Sequence, residues 1–161
     1  RLSRYQRLLG GTSGHAEGWG LYAEKLMGEL GYLEDPEYYL GMLVSQAFRS
    51  ARVIIDAGMP LELGIPPAQP FHPGERWTPE LGLEFLLPRC PFEEAFARSE
   101  ITRYLGWPGQ AISYKVGERV WLEARESAKQ KAGEGFDLKE WHNRALKLGP
   151  MGLAQMKREL T

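Results

Sequence analysis

The hydrophobic and polar positions of this chain repeat with the period of an α-helix in the stretch "SGHAEGWGLYAEKL", residues 13 to 26. In a helix, Glu17 and Glu24 lie seven residues apart and almost in line, with Gly20 and Gly28 on the same stripe. The opposite face is apolar and consists of Trp19, Tyr22, Ala23, Leu26 and Leu30. Carboxylates beside glycines are typical either of a solvated face or of a face that another group approaches closely, and the pattern alone leaves both open.

Helical patterning continues after this stretch. The first helix is predicted to run from about Gly14 to Gly31, and a long core helix follows, with Asp35 as N-cap, Pro36 at its first position and Pro60 as its stop. Its apolar positions recur at helical spacing and are predicted to be buried: Leu40, Leu43, Val44, Ala47, Ala51, Ile54 and Ile55.

Residues 58 to 77 interrupt the helical pattern with five prolines and three glycines. Such a segment cannot form a regular helix, and a long ordered loop in a compact domain is often functional, with a linker as the alternative. Phe71 and Trp77 are apolar anchors within it, so we expect an irregular loop packed on the helices.

The remaining sequence predicts further helices and no strand. Thr78 and Asp137 are suited to be N-caps, and Gly106 with Pro108 ends another helix. The fold class predicted is therefore all-α: an irregular bundle of about six or seven helices with one long Pro/Gly-rich loop, in a single domain over residues 1–161.

The amino-acid composition reduces the number of function classes that the chain could belong to. Hydrophobic content of 43%, charged content of 25% and a net charge of −1 are ordinary for a globular protein and give no reason to expect nucleic acid or membrane partners. No stretch approaches the roughly 20 apolar residues of a membrane span. Cys90 is the single cysteine, so a disulfide framework is excluded, and we expect a reducing, cytoplasmic location.

The sequence contains no motif of a complete catalytic centre. Its three histidines, His15, His72 and His142, show no one-turn spacing and no HExxH motif. The serines lie outside any nucleophile-elbow context, and no glycine-rich phosphate loop is present. A hydrolytic zinc site built wholly within the chain is therefore not predicted.

Four stretches of sequence, in this order along the chain, resemble those of a known protein family: "GHAEGWGLYAEKLMGELGY", "SARVIIDAGM", "RSEITRYLGWPGQAISYKVGER" and "FDLKEWHNRALKLGPMGL". They resemble the bacterial domain-of-unknown-function 885 family, whose members are similar to zinc metallopeptidases of the gluzincin type. The resemblance covers nearly the whole chain and implies the C-terminal half of such an enzyme. The HExxH-type helix, with two zinc-binding histidines and the Glu that activates water, would lie upstream of Arg1.

This resemblance implies roles for the opening stretch. Glu17 matches the position of the third zinc ligand, and zinc hydrolases commonly combine two His with one carboxylate and a water. Gly18 and Gly20 would let another helix come close, and Glu24 would accept a hydrogen bond from a residue of the site. His15 is expected to cap the helix or bind substrate. The alternative is an exposed acidic face with a surface histidine.

A second group of candidates lies in "RYLGWPGQAISYK", residues 103 to 115. By resemblance, Tyr114 would stabilise the oxyanion of a tetrahedral intermediate, and Arg103 is the other candidate for that role. Arg103 and Tyr104 could also bind a carboxylate or carbonyl of the substrate, together with Gln110. The alternative is that the tyrosines are core aromatics with hydrated hydroxyls.

One position departs from the family pattern. Relatives read roughly "DxGxH" where this chain has "DAGMP", so that Pro60 replaces a histidine that would bind substrate or the oxyanion. His72, in the proline-rich segment, could compensate for the missing histidine.

The leading interpretation is the C-terminal portion of a zinc-dependent metallopeptidase or related amide hydrolase, inactive alone. Zinc is expected in the full-length parent and not tightly bound in this chain. The expected partners are a peptide or amide substrate and the missing N-terminal half, and the apolar surface that this half would cover favours self-association. The alternative is a non-catalytic helical module for peptide binding or assembly.

Overall fold

The computed structural model describes residues 2–161, and over this range the chain is all-helical, as predicted. In these residues the α-helices number eight: α1 (Arg4–Leu8), α2 (Ser13–Glu29), α3 (Pro36–Gly58), α4 (Pro79–Leu86), α5 (Glu94–Gly106), α6 (Ser113–Ala132), α7 (Leu138–Leu148) and α8 (Leu153–Leu160). Short 3₁₀ turns follow α4 at Leu87–Arg89 and α6 at Gly133–Gly135. Within residues 2–161, no helix is long and apolar enough to cross a bilayer.

The helix starts follow the capping chemistry of the sequence. Asp35, Thr78 and Asp137 each accept a hydrogen bond from a backbone N–H in the first turn of α3, α4 and α7, respectively. The short helix α1 was not predicted from the sequence. It begins with a capping box in which the side chain of Ser3 and that of Gln6 each accept from the backbone N–H of the other residue.

The residues of the chain group into two compact units. Unit 1 contains the chain up to Met27 together with Ser113–Thr161, and unit 2 is Gly28–Ile112. In sequence, unit 2 is therefore an insertion between the two segments of unit 1. The single domain expected over residues 1–161 stays a prediction.

Unit 1 has an aromatic core around α6. Trp121 is fully buried there, stacked on Tyr22 of α2 at 5.8 Å and in edge contact with Trp141 of α7 at 6.1 Å between ring centroids. The helix α8 closes this core with Met156 and Leu160, each 1% exposed. The apolar face predicted for residues 13 to 26 is confirmed at Tyr22 and Leu26, which are buried.

Unit 2 has a separate core formed by the second half of α3, by α4 and α5, and by the segment between α3 and α4. That segment, residues 59–78, is called the proline-rich loop below. It is ordered by backbone hydrogen bonds such as Trp77 N–H to the Leu63 carbonyl (3.0 Å) and Ile65 N–H to the Glu75 carbonyl (2.7 Å). Trp77 is buried against Gly58, where a methyl group would overlap the indole ring. The prediction of a packed loop anchored by Phe71 and Trp77 is confirmed, since Phe71 stacks on Trp77 at 5.7 Å.

The burial predicted for α3 is wrong over much of its length. Ala51 and Ile55 are buried, but other apolar positions of the predicted core face are exposed: Leu40, Leu43, Ala47 and Ile54. No residue of α3 before Phe48 is buried, because the core of unit 2 packs only on the second half of the helix. Leu30, predicted on the apolar face of the first helix, is also exposed.

Candidate functional site

A close crossing of α2 and α6 in unit 1 organises the first group of candidate residues. Gly18 and Gly117 face each other at the crossing, and a methyl group on either would overlap the backbone of the other helix. Only glycine permits this approach, since every other residue carries a Cβ. The expectation of a close helix approach is confirmed for Gly18, whereas Gly20 is exposed and has open space around it.

Glu17 and Tyr114 both lie within one helical turn of this crossing. Glu17 directly precedes Gly18 on α2, and Tyr114 lies three residues before Gly117 in the first turn of α6. Both residues are half-buried. Beside them, Lys115 donates to the buried carboxylate of Glu118 at 2.6 Å. A carboxylate and a phenol thus each lie within one turn of the point where their two helices are in backbone contact.

His15 and Glu24 lie on the same helix as Glu17 in different surroundings. The ring of His15 is half-buried and packs edge-on against Trp121, with the centroids 5.6 Å apart. Burial lowers the pKa of His15 below its ordinary value, so that the neutral ring is favoured at pH 7. Glu24 is exposed. The proposed roles of both residues stay predictions.

Three further candidates meet in unit 2 around Glu100, a residue that the sequence analysis did not select. Arg103 donates from Nε and Nη2 to the two carboxylate oxygens of Glu100 at 3.0 and 2.8 Å, and from Nη1 to Oε1 of Gln110 at 2.5 Å. The hydroxyl of the fully buried Tyr104 donates to Oε2 of Glu100 at 2.8 Å. Glu100 therefore holds Arg103 and Tyr104 in fixed orientations, and Arg103 in turn holds Gln110.

In this cluster the buried carboxylate of Glu100 lies beside two guanidinium groups, those of Arg103 and Arg52. Burial raises the pKa of Glu100, but the hydrogen bonds from Arg103 and Tyr104 and the nearby charge of Arg52 outweigh it, so that the net pKa lies below its ordinary value. Arg52 Nε lies 3.6 Å from Glu100 Oε2. Burial also raises the pKa of the Tyr104 hydroxyl, which stays protonated as a donor. The spacing of Glu100 to Arg103 and Tyr104, three and four residues along one helix, is the signal that could have revealed Glu100.

A second buried carboxylate, Asp56, orders the turn that follows α5. Its oxygens accept three backbone N–H bonds, from Gly109 at 3.0 Å, Ala111 at 2.8 Å and Ile112 at 3.3 Å. Gly109 has φ +80°, a left-handed conformation that favours glycine. Asp56 is 2% exposed, and its partners are 53 or more residues away in sequence, so spacing along the chain could not have identified it.

A third polar group, also missed from the sequence, joins α2, α6 and α7 in unit 1. The hydroxyl of Tyr22 lies 2.7 Å from Nε2 of His142 and accepts from Nη1 of Arg125 at 3.3 Å. Which of the two groups donates in the contact between Tyr22 and His142 depends on the tautomer of the imidazole. Three helices are thus connected through one buried phenol.

The described residues do not by themselves form a metal site. Over residues 2–161, no group of three or more His, Cys, Asp or Glu side chains is arranged to hold a metal ion. Glu17 could supply one carboxylate, whereas His15 on the same helix packs against Trp121. Glu17 by itself would not hold a zinc ion, so any such ion would need further ligands.

The described residues form an all-α protein, with one hydrophobic core in each of the two units. The chain belongs to the family described as "Bacterial protein of unknown function (DUF885)", whose profile it matches over residues 1–160. No curated protein matches it. Among solved structures, it is similar to "the putative lipoprotein from Colwellia psychrerythraea", with 35% sequence identity and a TM-score of 0.78. The similarity covers 92% of this chain and 23% of that chain, so the present chain spans about a quarter of the length of its structural relative.

Proposed function

We propose that this chain contributes one side of the active site of a zinc-dependent peptidase or related amide hydrolase, within a longer polypeptide. In this proposal Glu17 is a carboxylate ligand of the zinc ion, and the remaining ligands lie outside these 161 residues. The hydroxyl of Tyr114 donates a hydrogen bond to the substrate oxygen on which negative charge develops. Glu24 and His15 keep the supporting roles that the resemblance gives them.

The observation that carries the proposal is the glycine crossing of α2 and α6. It places Glu17 and Tyr114 within one turn of a backbone contact between two helices, and such a contact fixes the position of both side chains more tightly than a loop would. The half-burial of Glu17 further supports a role other than an exposed acidic face.

The second candidate function, a non-catalytic helical module, is favoured by a different observation. Arg103 and Tyr104 are both hydrogen-bonded to Glu100, which is typical of groups that stabilise a fold. In the peptidase proposal these two residues and Gln110 instead keep the substrate-binding roles expected from the sequence. Zinc content separates the two functions, because the module needs no metal.

The test uses the full-length protein and two substitutions that remove different functions. Glu17→Gln replaces an anionic ligand by a neutral one and is expected to lower both the zinc content and the turnover. Tyr114→Phe is expected to leave zinc bound and to lower kcat by about 10²- to 10³-fold, the usual loss for one oxyanion donor. Metal analysis together with peptidase or amidase assays measures both effects.

The control is Glu159→Gln, which removes an exposed carboxylate of α8 and should change neither quantity. Full zinc occupancy and an unchanged kcat in Glu17→Gln would remove Glu17 from the site. A full-length protein without zinc would favour the helical module.

The proposed partners are a peptide or amide substrate and the other part of the longer polypeptide, with no nucleic acid and no membrane. We propose that this other part covers the exposed apolar positions of α3. The cytoplasmic location stays a prediction.

A further inference from the structure

His72, in the proline-rich loop, lies between two carboxylates. Its Nδ1 is 3.0 Å from Oε1 of Glu75, in the same loop, and its Nε2 is 3.0 Å from Oε1 of Glu84 on α4. The ring of Phe71 packs edge-on against the imidazole at 4.6 Å. The side chain of His72 thus connects the outer part of the loop to a helix that begins at Pro79.

Both contacts require an N–H on the ring, because each partner is a carboxylate oxygen. A neutral imidazole has one N–H, so one of its nitrogens would direct a lone pair at a carboxylate oxygen, whereas the imidazolium donates from both. Glu75 from the loop and Glu84 from α4 are the charged groups that face the ring. Their hydrogen bonds, that of Glu84 first, raise the pKa of His72 above its ordinary value.

The backbone conformation of His72 indicates that surrounding contacts hold this residue in place. Its φ is +39°, in the left-handed region that residues with a Cβ rarely adopt. Such a conformation persists where surrounding contacts hold it. The neighbouring backbone is joined by Gly74 N–H to the Ile65 carbonyl (3.0 Å) and by Glu75 N–H to the His72 carbonyl (3.2 Å).

We propose that His72 is a pH-dependent clamp, which fastens the proline-rich loop to α4 as an imidazolium and releases its outer part when it loses a proton. The direction of the pH dependence follows from the linkage between protonation of His72 and closure of the loop. A group whose pKa is raised in the closed state stabilises that state fully below its pKa in the open state, about 6.5 for an ordinary histidine. The stabilisation is lost as the pH rises through the raised pKa.

The first measurement is an NMR titration of the three histidine rings between pH 5.5 and 9. His72 should titrate above the ordinary value, and His15, whose pKa is lowered by burial, should titrate below it and serve as an internal reference. In Glu84→Gln the pKa of His72 should fall towards the ordinary value. Glu80→Gln, one turn earlier on α4, should leave it unchanged.

The second measurement is amide hydrogen exchange at Ile65, Gln69, Gly74 and Glu75, corrected for the intrinsic pH dependence of exchange. Protection should fall as the pH rises, by up to tenfold for each unit by which the pKa of His72 is raised. In His72→Asn, which tolerates the left-handed backbone and does not titrate, protection should be low and independent of pH.

Two results would overturn the proposal. One is a pKa of His72 at or below the ordinary value in the unmodified protein. The other is a loop whose protection follows pH in the same way in His72→Asn as in the unmodified protein. Neither result depends on the proposed hydrolase activity, so the clamp and the proposed function can fail separately.

Discussion

At the scale of single residues, the glycines of the α2–α6 crossing and the exposed Gly20 of α2 have opposite expected responses to substitution by alanine. Gly18→Ala or Gly117→Ala would force a methyl group into the backbone of the facing helix. We expect each to lower the free energy of unfolding by about 1–3 kcal/mol or more, as overpacking in a rigid contact does. Chemical denaturation measures the change.

Gly20→Ala is the matched control on α2, because nothing lies within 4 Å of the added methyl group. There the higher helix propensity of alanine should raise the free energy of unfolding by about 0.5–1 kcal/mol. Equal effects of the three substitutions would contradict the close crossing on which the proposed site depends.

A second prediction at this scale concerns Asp56. Asp56→Asn keeps one acceptor oxygen but turns an NH₂ group towards backbone donors, so we expect a loss of about 1–3 kcal/mol in the free energy of unfolding. The same substitution at the exposed N-cap Asp35 is the control, since Asn caps a helix as well as Asp does. An Asp56→Asn protein as stable as Asp35→Asn would show that the three backbone bonds contribute little.

At the scale of elements, α5 carries a pH-dependent contribution to stability through Glu100. Because the pKa of Glu100 is lowered in the folded protein, its contribution is present above its unfolded pKa, about 4.3, and is lost as the pH falls through the lower folded value. Glu100→Gln should therefore destabilise the protein at pH 7 and flatten its acid unfolding profile. Thermal unfolding between pH 2.5 and 7 measures both.

Glu94→Gln provides the comparison on the same helix. Glu94 pairs with Arg98 at 2.6 Å, but both side chains are more than half exposed, and such surface pairs contribute little. A larger effect at Glu94 than at Glu100 would indicate that burial does not control the strength of these ion pairs.

Also at this scale, the sequence correctly predicted where helices begin, but it did not predict which parts of α3 are buried. The N-caps Asp35, Thr78 and Asp137 and the helix period depend on neighbours within a few residues, and they were predicted correctly. The burial of α3 depends on which elements pack against it, and its first half was wrongly predicted to be core.

At the scale of the whole molecule, the exposed apolar face of α3 predicts self-association of the 161-residue chain. Large exposed apolar patches are typical of surfaces that bind protein. The double substitution Leu40→Glu and Leu43→Glu should shift the chain towards the monomer in sedimentation velocity at increasing concentration. The control Gln130→Glu and Gln155→Glu adds the same charge at exposed positions of α6 and α8.

A chain that sediments as a monomer at high concentration would contradict this prediction. An equal shift towards the monomer in both double variants would attribute the effect to net charge rather than to the apolar face.

The sequence by itself determined the all-α class, the starts of the helices capped by Asp35, Thr78 and Asp137, the packed proline-rich loop and the family. These depend on local periodicity, capping, apolar anchors and motif order. Only the tertiary structure decided which residues meet. The spacing within α5 could have indicated the contacts of Glu100 with Arg103 and Tyr104, but Asp56 orders the turn at Gly109 and Tyr22 joins His142 to Arg125 across distant segments. The last two groups bridge 53 or more positions of the chain. Such contacts depend on how helices pack, and no spacing in the sequence encodes them directly.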